Sequence, residues 1–192
     1  MRQNNKIVVG ITGGSGSGKS HLCSLLNEKG YTVIDTDVIA RQVMQKGEAC
    51  LLETAAEFGG EILENGSLNR KKLAEIVFSD EKKLAKLNQI SHKYILNCVE
   101  NMIATAVSTI VFVDGAVLIE SGFSCDYMIG VIADYETRKN RIMMRDGLSE
   151  TEAKRRLDAQ QKDSFYHENC DFVIYNNGGD FDIDSILKRI EE

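Results

Sequence analysis

Strands that alternate with helices, each strand short and apolar, predict an α/β fold with a parallel sheet flanked by helices. Three runs carry that expectation. Ile7-Val8-Val9-Gly10-Ile11, Ile110-Val111-Phe112-Val113 and Met128-Ile129-Gly130-Val131-Ile132 are nearly all apolar, as strands buried on both faces are.

Taken in order, the first strand runs into a glycine-rich turn. A helix follows from Lys19 to Lys29, with Leu22, Cys23, Leu25 and Leu26 on its apolar side and Gly30 as its stop. Thr32-Val33-Ile34 is a second strand ending at Asp35, and Val38 to Gln45 is helical up to Gly47. The middle of the chain reads as helices over Ala49–Phe58, Arg70–Phe78 and Glu81–Ala106. Gly59-Gly60 breaks it, Asn65-Gly66 is a turn, and Asn69 is placed to cap the second of these helices. After the strands at 110 and 128, Tyr135–Arg145 is a helix stopped near Gly147. Ser149-Glu150-Thr151-Glu152 is a capping box opening another, which holds Arg155, Arg156 and Gln160. Phe172-Val173-Ile174 is the last strand, Asn176-Asn177-Gly178 a turn, and Phe181–Ile190 a closing helix.

The 192 residues suffice for one domain with a sizeable core. A formal net charge of −6 speaks against nucleic acid as a partner, so any polyanion must be met by local clusters of Arg and Lys. The five cysteines are widely spaced and odd in number, which points to free thiols in a reducing cytosol rather than a zinc site or disulfide framework. No apolar run reaches the length of a membrane span, and no signal peptide fits before the first strand. The expected setting is therefore cytoplasmic, with no membrane partner; oligomeric state is not legible.

The sharpest chemical signal is Gly13-Gly14-Ser15-Gly16-Ser17-Gly18-Lys19-Ser20, which matches G-x-x-x-x-G-K-[ST]. Its glycines let backbone N–H groups wrap a phosphate, and the helix that follows presents its positive end to the same anion. Lys19 is placed to neutralise β- and γ-phosphates, and the Ser20 hydroxyl to ligate Mg2+. A chance Gly/Ser loop fits the pattern less well, because a buried strand precedes it and a helix follows.

Asp35-Thr36-Asp37 stands where the second strand meets its helix, at the strand end where such sheets bind ligands. One carboxylate there can take a proton from an attacking hydroxyl and the other can hold Mg2+ through water, although Asp37 as a simple helix cap is the competing use. Asp114, ending another apolar strand, is a further Mg2+ candidate. Arg138, Arg141 and Arg145 recur at i, i+3 and i+7 on one helix face, followed by a glycine break and a second helix. That is the pattern of a hinged lid whose arginines reach a transferring phosphoryl group; a solvated basic face is the plainer alternative.

The whole pattern resembles the dephospho-CoA kinase family. The resemblance runs through Ile11-Thr12-Gly13 to Ser20, Val33-Ile34-Asp35-Thr36-Asp37-Val38-Ile39-Ala40-Arg41, Phe58 to Leu63 and Gly66-Ser67-Leu68-Asn69-Arg70. It continues through the lid segment Arg141 to Ser149, with Gln160 at the family's lid glutamine, and Asp171 to Gly178. It implies a P-loop kinase with ATP and dephospho-CoA as substrates. The core would be 1–48, 108–137 and 164–192, the helical acceptor region 49–107, and the lid 138–163. It also implies Asp37 as base, Thr12 beside the phosphates and Arg145 on ATP, with His21 and Arg141 in the ATP set. Arg41, Arg70 and His92 fall to the acceptor side. Two departures stand out. The family usually has His-Pro where this chain has His92-Lys93, and a proline where it has Ala116. A shikimate- or gluconate-type kinase is the nearest rival, though the shikimate glycine triplet is missing after Val113. A nucleotide-binding regulator without turnover is a rival of another class.

Overall fold

The computed structural model describes residues 6–179 and 182–192. In chain order the elements are β1 (Ile7–Thr12), α1 (Lys19–Glu28), β2 (Thr32–Asp35), α2 (Thr36–Gln42) and α3 (Ala49–Phe58). A 3-10 turn, Gly60–Ile62, leads to β3 (Leu63–Glu64), β4 (Ser67–Leu68), α4 (Arg70–Val77) and α5 (Glu81–Thr105). Then come β5 (Ile110–Asp114), β6 (Tyr127–Ile132), α6 (Tyr135–Asp146), α7 (Glu150–Asp158), α8 (Asp163–Asn169), β7 (Phe172–Tyr175) and α9 (Ile183–Glu191).

Five strands form one sheet in the order β2-β5-β1-β6-β7. Registered pairs such as Val9 with Phe112, Ile11 with Ile129 and Val131 with Ile174 run parallel. β1 is central, and Val8, Val9 and Ile11 are fully buried. The apolar runs are continuous because both faces of these strands are covered. Leu22 and Leu26 of α1 and Ile183, Leu187 and Ile190 of α9 share a core with Val9, Ile11, Phe112, Ile129 and Val131. The α9 positions are spaced i, i+4, i+7, which keeps them on one helix face. The closing helix was expected from Phe181, which lies outside the described residues.

The chain divides into two compact units. The first takes the residues up to Ile34 and from Ala106 onward; the second is Asp35–Thr105. The second unit therefore begins earlier than the expected 49, because α2 packs with α5 inside it. Its core is Ile62, Leu73 and Val77 with Leu84 and Leu87 against them. The Asn65-Gly66 turn links β3 to β4 with both residues at positive φ, 52° and 79°, the backbone twist a two-residue hairpin requires. Among the described residues no helix is long and apolar enough to cross a membrane.

α6 and α7 pack on each other through Ile142, Ala153 and Leu157, with Met143 and Leu148 at the edge. Gly147 caps α6 in the left-handed region, and Ser149 opens α7 with a full capping box. α7 stops at Asp158, so Gln160 lies beyond the helix expected to hold it. The seven-residue α8 went unread, since a helix that short with Tyr166 as its buried residue shows no period.

In the capping box Glu152 Oε2 accepts from Ser149 N–H at 2.9 Å, and hydrogen bonds from Ser149 hold the Glu152 carboxyl below its ordinary value. Ser149→Ala is expected to cost about 1 kcal/mol in urea unfolding at pH 7. A carboxyl with a depressed folded-state pKa stabilises above its unfolded value and loses that contribution as pH falls through the folded value. The difference between wild type and Ser149→Ala should therefore shrink below the usual glutamate range.

Candidate active site

β1 delivers the chain at Thr12 into the loop 13–18, and α1 starts at Lys19. Two glycines are required by geometry. Gly16 has φ 77°, and a Cβ there would stand 2.7 Å from the Arg138 carbonyl oxygen. Gly18, the N-cap of α1 at φ 93°, would drive a Cβ into the Asn176 amide. Any side chain at either position meets both a disfavoured backbone angle and a neighbour.

The loop is braced from its outer side. Arg138 Nε donates to Ser15 O at 3.0 Å. Arg141 Nη1 donates to Gly16 O at 3.1 Å and to Asn176 O at 3.0 Å. Asn176 Nδ2 donates to Ser17 O at 2.8 Å. A trans peptide holds its N–H antiparallel to its C=O. Anchoring the Ser15 and Ser17 carbonyls therefore turns the Gly16 and Gly18 N–H groups away from the brace. Those donors, with the first N–H groups of α1, form a concave anion cradle. The buried Ser17 hydroxyl has no hydrogen-bond partner among the described residues, a polar group that suits a loop completed by a ligand.

Lys19 forms an ion pair with Asp114 at the end of β5, and both side chains are largely buried. The sequence motifs point these two residues separately to phosphate and to Mg2+; the structure pairs them with each other. Thr12 is buried, and its hydroxyl donates to Ala116 O at 3.2 Å. Ser20 and His21 open α1 and are exposed.

The arginine stripe splits in two. Arg138 and Arg141 turn to the loop's carbonyls, whereas Arg145 binds its neighbour Asp146 through Nε and Nη2 at 2.7 and 2.8 Å. Arg156 reaches the same carboxylate at 2.8 Å. The hydrogen bond from Arg145 is the main reason the Asp146 carboxyl titrates below its ordinary range. The sequence pattern offers Arg138 and Gln160 as candidate lid residues but not as supports of the loop, and Asn176 only as a turn residue. Nothing in a one-dimensional pattern announces a contact across 159 residues.

In the second unit, Asp35 is the cap: its Oδ1 accepts from the N–H groups of Asp37 and Val38 at 2.8 and 3.0 Å. The capping use considered for Asp37 belongs to Asp35 instead, and the Asp37 carboxylate projects from the first turn of α2, exposed. Arg41, Arg70 and His92 are exposed on α2, α4 and α5. Lys93, in the place of the family proline, pairs with Glu53 at 2.8 Å, and Tyr94 O–H donates to the same carboxylate at 2.5 Å. These bonds, Lys93 first, hold Glu53 below its usual value.

A glycine loop between the central strand of a five-stranded parallel sheet and its helix, with α6 bringing two arginines to it, defines a P-loop kinase. Comparison with known proteins narrows the class. Residues 7–182 match the dephospho-CoA kinase family. A dephospho-CoA kinase of Fusobacterium nucleatum is 36% identical over 188 residues, covering 96% of this chain and 95% of its own. A Thermus thermophilus crystal structure superposes with a TM-score of 0.81 at 31% identity, covering 97% of this chain and 96% of that one. Shikimate kinase from Bacteroides thetaiotaomicron, at 13% identity, a TM-score of 0.54 and 96% coverage of both chains, shares the fold alone. The chain belongs to the dephospho-CoA kinase family.

Asparagine keeps an Oδ1 acceptor for the α2 cap, and alanine does not. Asp35→Asn should therefore leave the thermal midpoint unchanged, while Asp35→Ala should lower it by about 2–4 °C for about 1 kcal/mol lost.

Proposed function

We propose that this chain transfers the γ-phosphoryl group of ATP to the 3'-hydroxyl of dephospho-CoA, giving CoA and ADP, the last step of coenzyme A biosynthesis. The observation that carries the reading is the family match over 7–182 on a chain that keeps the whole phosphate loop. The inward N–H groups of the loop and of α1 hold the β-phosphate, and Lys19 bridges to the γ-phosphate. Lys19 reaches phosphate by leaving Asp114. Asp37 takes the proton of the attacking hydroxyl; its exclusion from the cap supports that role over Asp35. The α6–α7 pair is read as the lid. There Arg145 serves the ATP only after exchanging Asp146 for phosphate, and Arg141 serves it chiefly through the loop it holds. Arg41, Arg70 and His92 are proposed for the acceptor's phosphates and ribose.

The hard oxygen donors Ser20 and Asp114 suit Mg2+, which takes few protein ligands beside phosphates and water; the second oxygen of Asp35 is proposed as a further ligand of the same kind. Bound there, Mg2+ would neutralise charge on the β- and γ-phosphates. Catalysis by the protein's own groups is mostly positioning and electrostatics, with closure excluding water. The cytoplasm, where ATP is abundant and thiols stay reduced, is the proposed setting.

The test is turnover of ATP, Mg2+ and dephospho-CoA followed by mass spectrometry, with shikimate, gluconate and nucleoside monophosphates in parallel. CoA should form from dephospho-CoA alone. Asp37→Asn should lower kcat by about 10²–10⁴-fold, the usual contribution of a general base. ADP formed only with another acceptor would sink the substrate assignment. ATP binding without transfer to any acceptor would favour the regulator.

A further inference from the structure

One residue of the phosphate loop, Ser15, is held at both of its backbone polar groups. Its N–H donates to Gln160 Oε1 at 2.8 Å, and its carbonyl accepts from Arg138 Nε at 3.0 Å. The ring is closed by Arg138 Nη2, which donates to the same Gln160 Oε1 at 2.5 Å. Gly14 lies so close beneath this ring that a Cβ there would strike Arg138 Nη2 and stand 2.5 Å from Gln160 Oε1. Arg138 is 8% exposed, so the ring forms with little competition from water.

The two bonds fix different peptide planes. The Ser15 N–H belongs to the Gly14–Ser15 peptide and the Ser15 carbonyl to the Ser15–Gly16 peptide. Glycine on both sides gives these planes wide rotational freedom, and the Gln160–Arg138 pair removes it. Gln160 lies just past α7, where its own N–H bonds to Leu157 O at 3.0 Å. Leu157 is one of the residues that pack α7 on α6. The carboxamide thus ties the far end of the helix pair to the loop's tip.

We propose that Gln160 is a positioning residue for phosphoryl transfer, acting through its Oε1 as acceptor: it orients the Ser15 peptides and the Arg138 guanidinium and so couples the helix pair to the phosphate loop. It needs no contact with the nucleotide. The inference rests on the reading of loop 13–18 as the ATP site. It makes a chemical distinction: an acceptor oxygen at this position matters, and the amide's NH2 group does not. Glutamate retains the acceptor and its reach to Arg138, whereas leucine keeps the size and loses the acceptor.

The experiment compares full-length wild type, Gln160→Glu and Gln160→Leu by steady-state kinetics with ATP and dephospho-CoA, alongside thermal midpoints. Turnover by wild type establishes the kinase reading before either variant is read. Gln160→Leu should raise KM for ATP, lower kcat, or both, reducing kcat/KM for ATP about 10–100-fold, as expected when two hydrogen bonds, one charge-assisted, are lost. KM for dephospho-CoA should stay within about twofold, the scatter of an unaffected parameter. Gln160→Glu should recover most of the loss. The proposal is overturned if Gln160→Leu matches wild type at an unchanged midpoint. It is overturned as well if Gln160→Glu is the worse of the two, since an anion at a site where the amide donates to phosphate would be repelled. A proportional loss in both substrates' KM with a collapsed midpoint in both variants would show a merely structural residue.

Discussion

A loop that offers its N–H groups to an anion must put its carbonyls somewhere, and satisfying those carbonyls is the constraint on which this site depends. In this chain they face the surrounding protein, not water. Donors therefore have to come from other elements, and α6 and the turn after β7 supply them. The two arginine donors on α6 are charged, which makes their bonds stronger than a neutral one. Their acceptors are neutral, so the positive charge is not cancelled. Among the described residues neither Arg138 nor Arg141 forms an ion pair. Their charge remains available to attract a polyphosphate, while Arg145, two turns further from Arg138, spends its own on Asp146.

The brace also explains why glycine recurs where the loop touches it. Gly16 and Gly18 lie against Arg138 and Asn176 so tightly that a methyl group has no room. The sequence motif reads as a requirement of the phosphate, which needs close backbone approach. The structure adds a second requirement from outside: the scaffold needs close approach as well. Loop, α6 and β7 turn are therefore fitted closely to each other, the kind of fixed donor arrangement that electrostatic catalysis relies on.

Most of the sheet could be read in the sequence because burial on both faces writes an unbroken apolar run, as in Ile110–Asp114, where every residue is buried. The capping box at Ser149 and the Asn65-Gly66 hairpin turn were equally plain, since each is a local device with a local signature. What escaped was whatever depends on distance along the chain. The Lys19–Asp114 pair spans 95 residues and the Asn176–Ser17 bond 159. The move of capping duty from Asp37 to Asp35 turns on two residues of phase at a helix start, which composition alone does not fix. The unit boundary moved to Asp35 because α2 follows its packing partner α5 rather than its neighbour in sequence.

The two missing prolines have physical answers inside the chain. α5 runs unbroken from Glu81 to Thr105. A proline at 93 would delete one N–H of that ladder and press on the carbonyl of Gln89, bending or breaking the helix near its middle. Lysine there keeps the helix continuous and ties it to α3 through Glu53, which Tyr94 also holds. An exposed pair of this kind adds little stability; α3 lies beside α5 through packing within the unit that carries Arg41, Arg70 and His92. At the other site, Ala116 offers its carbonyl to Thr12, a contact any residue can make. Fold is shared with a shikimate kinase at 13% identity, so the fold by itself does not set the acceptor.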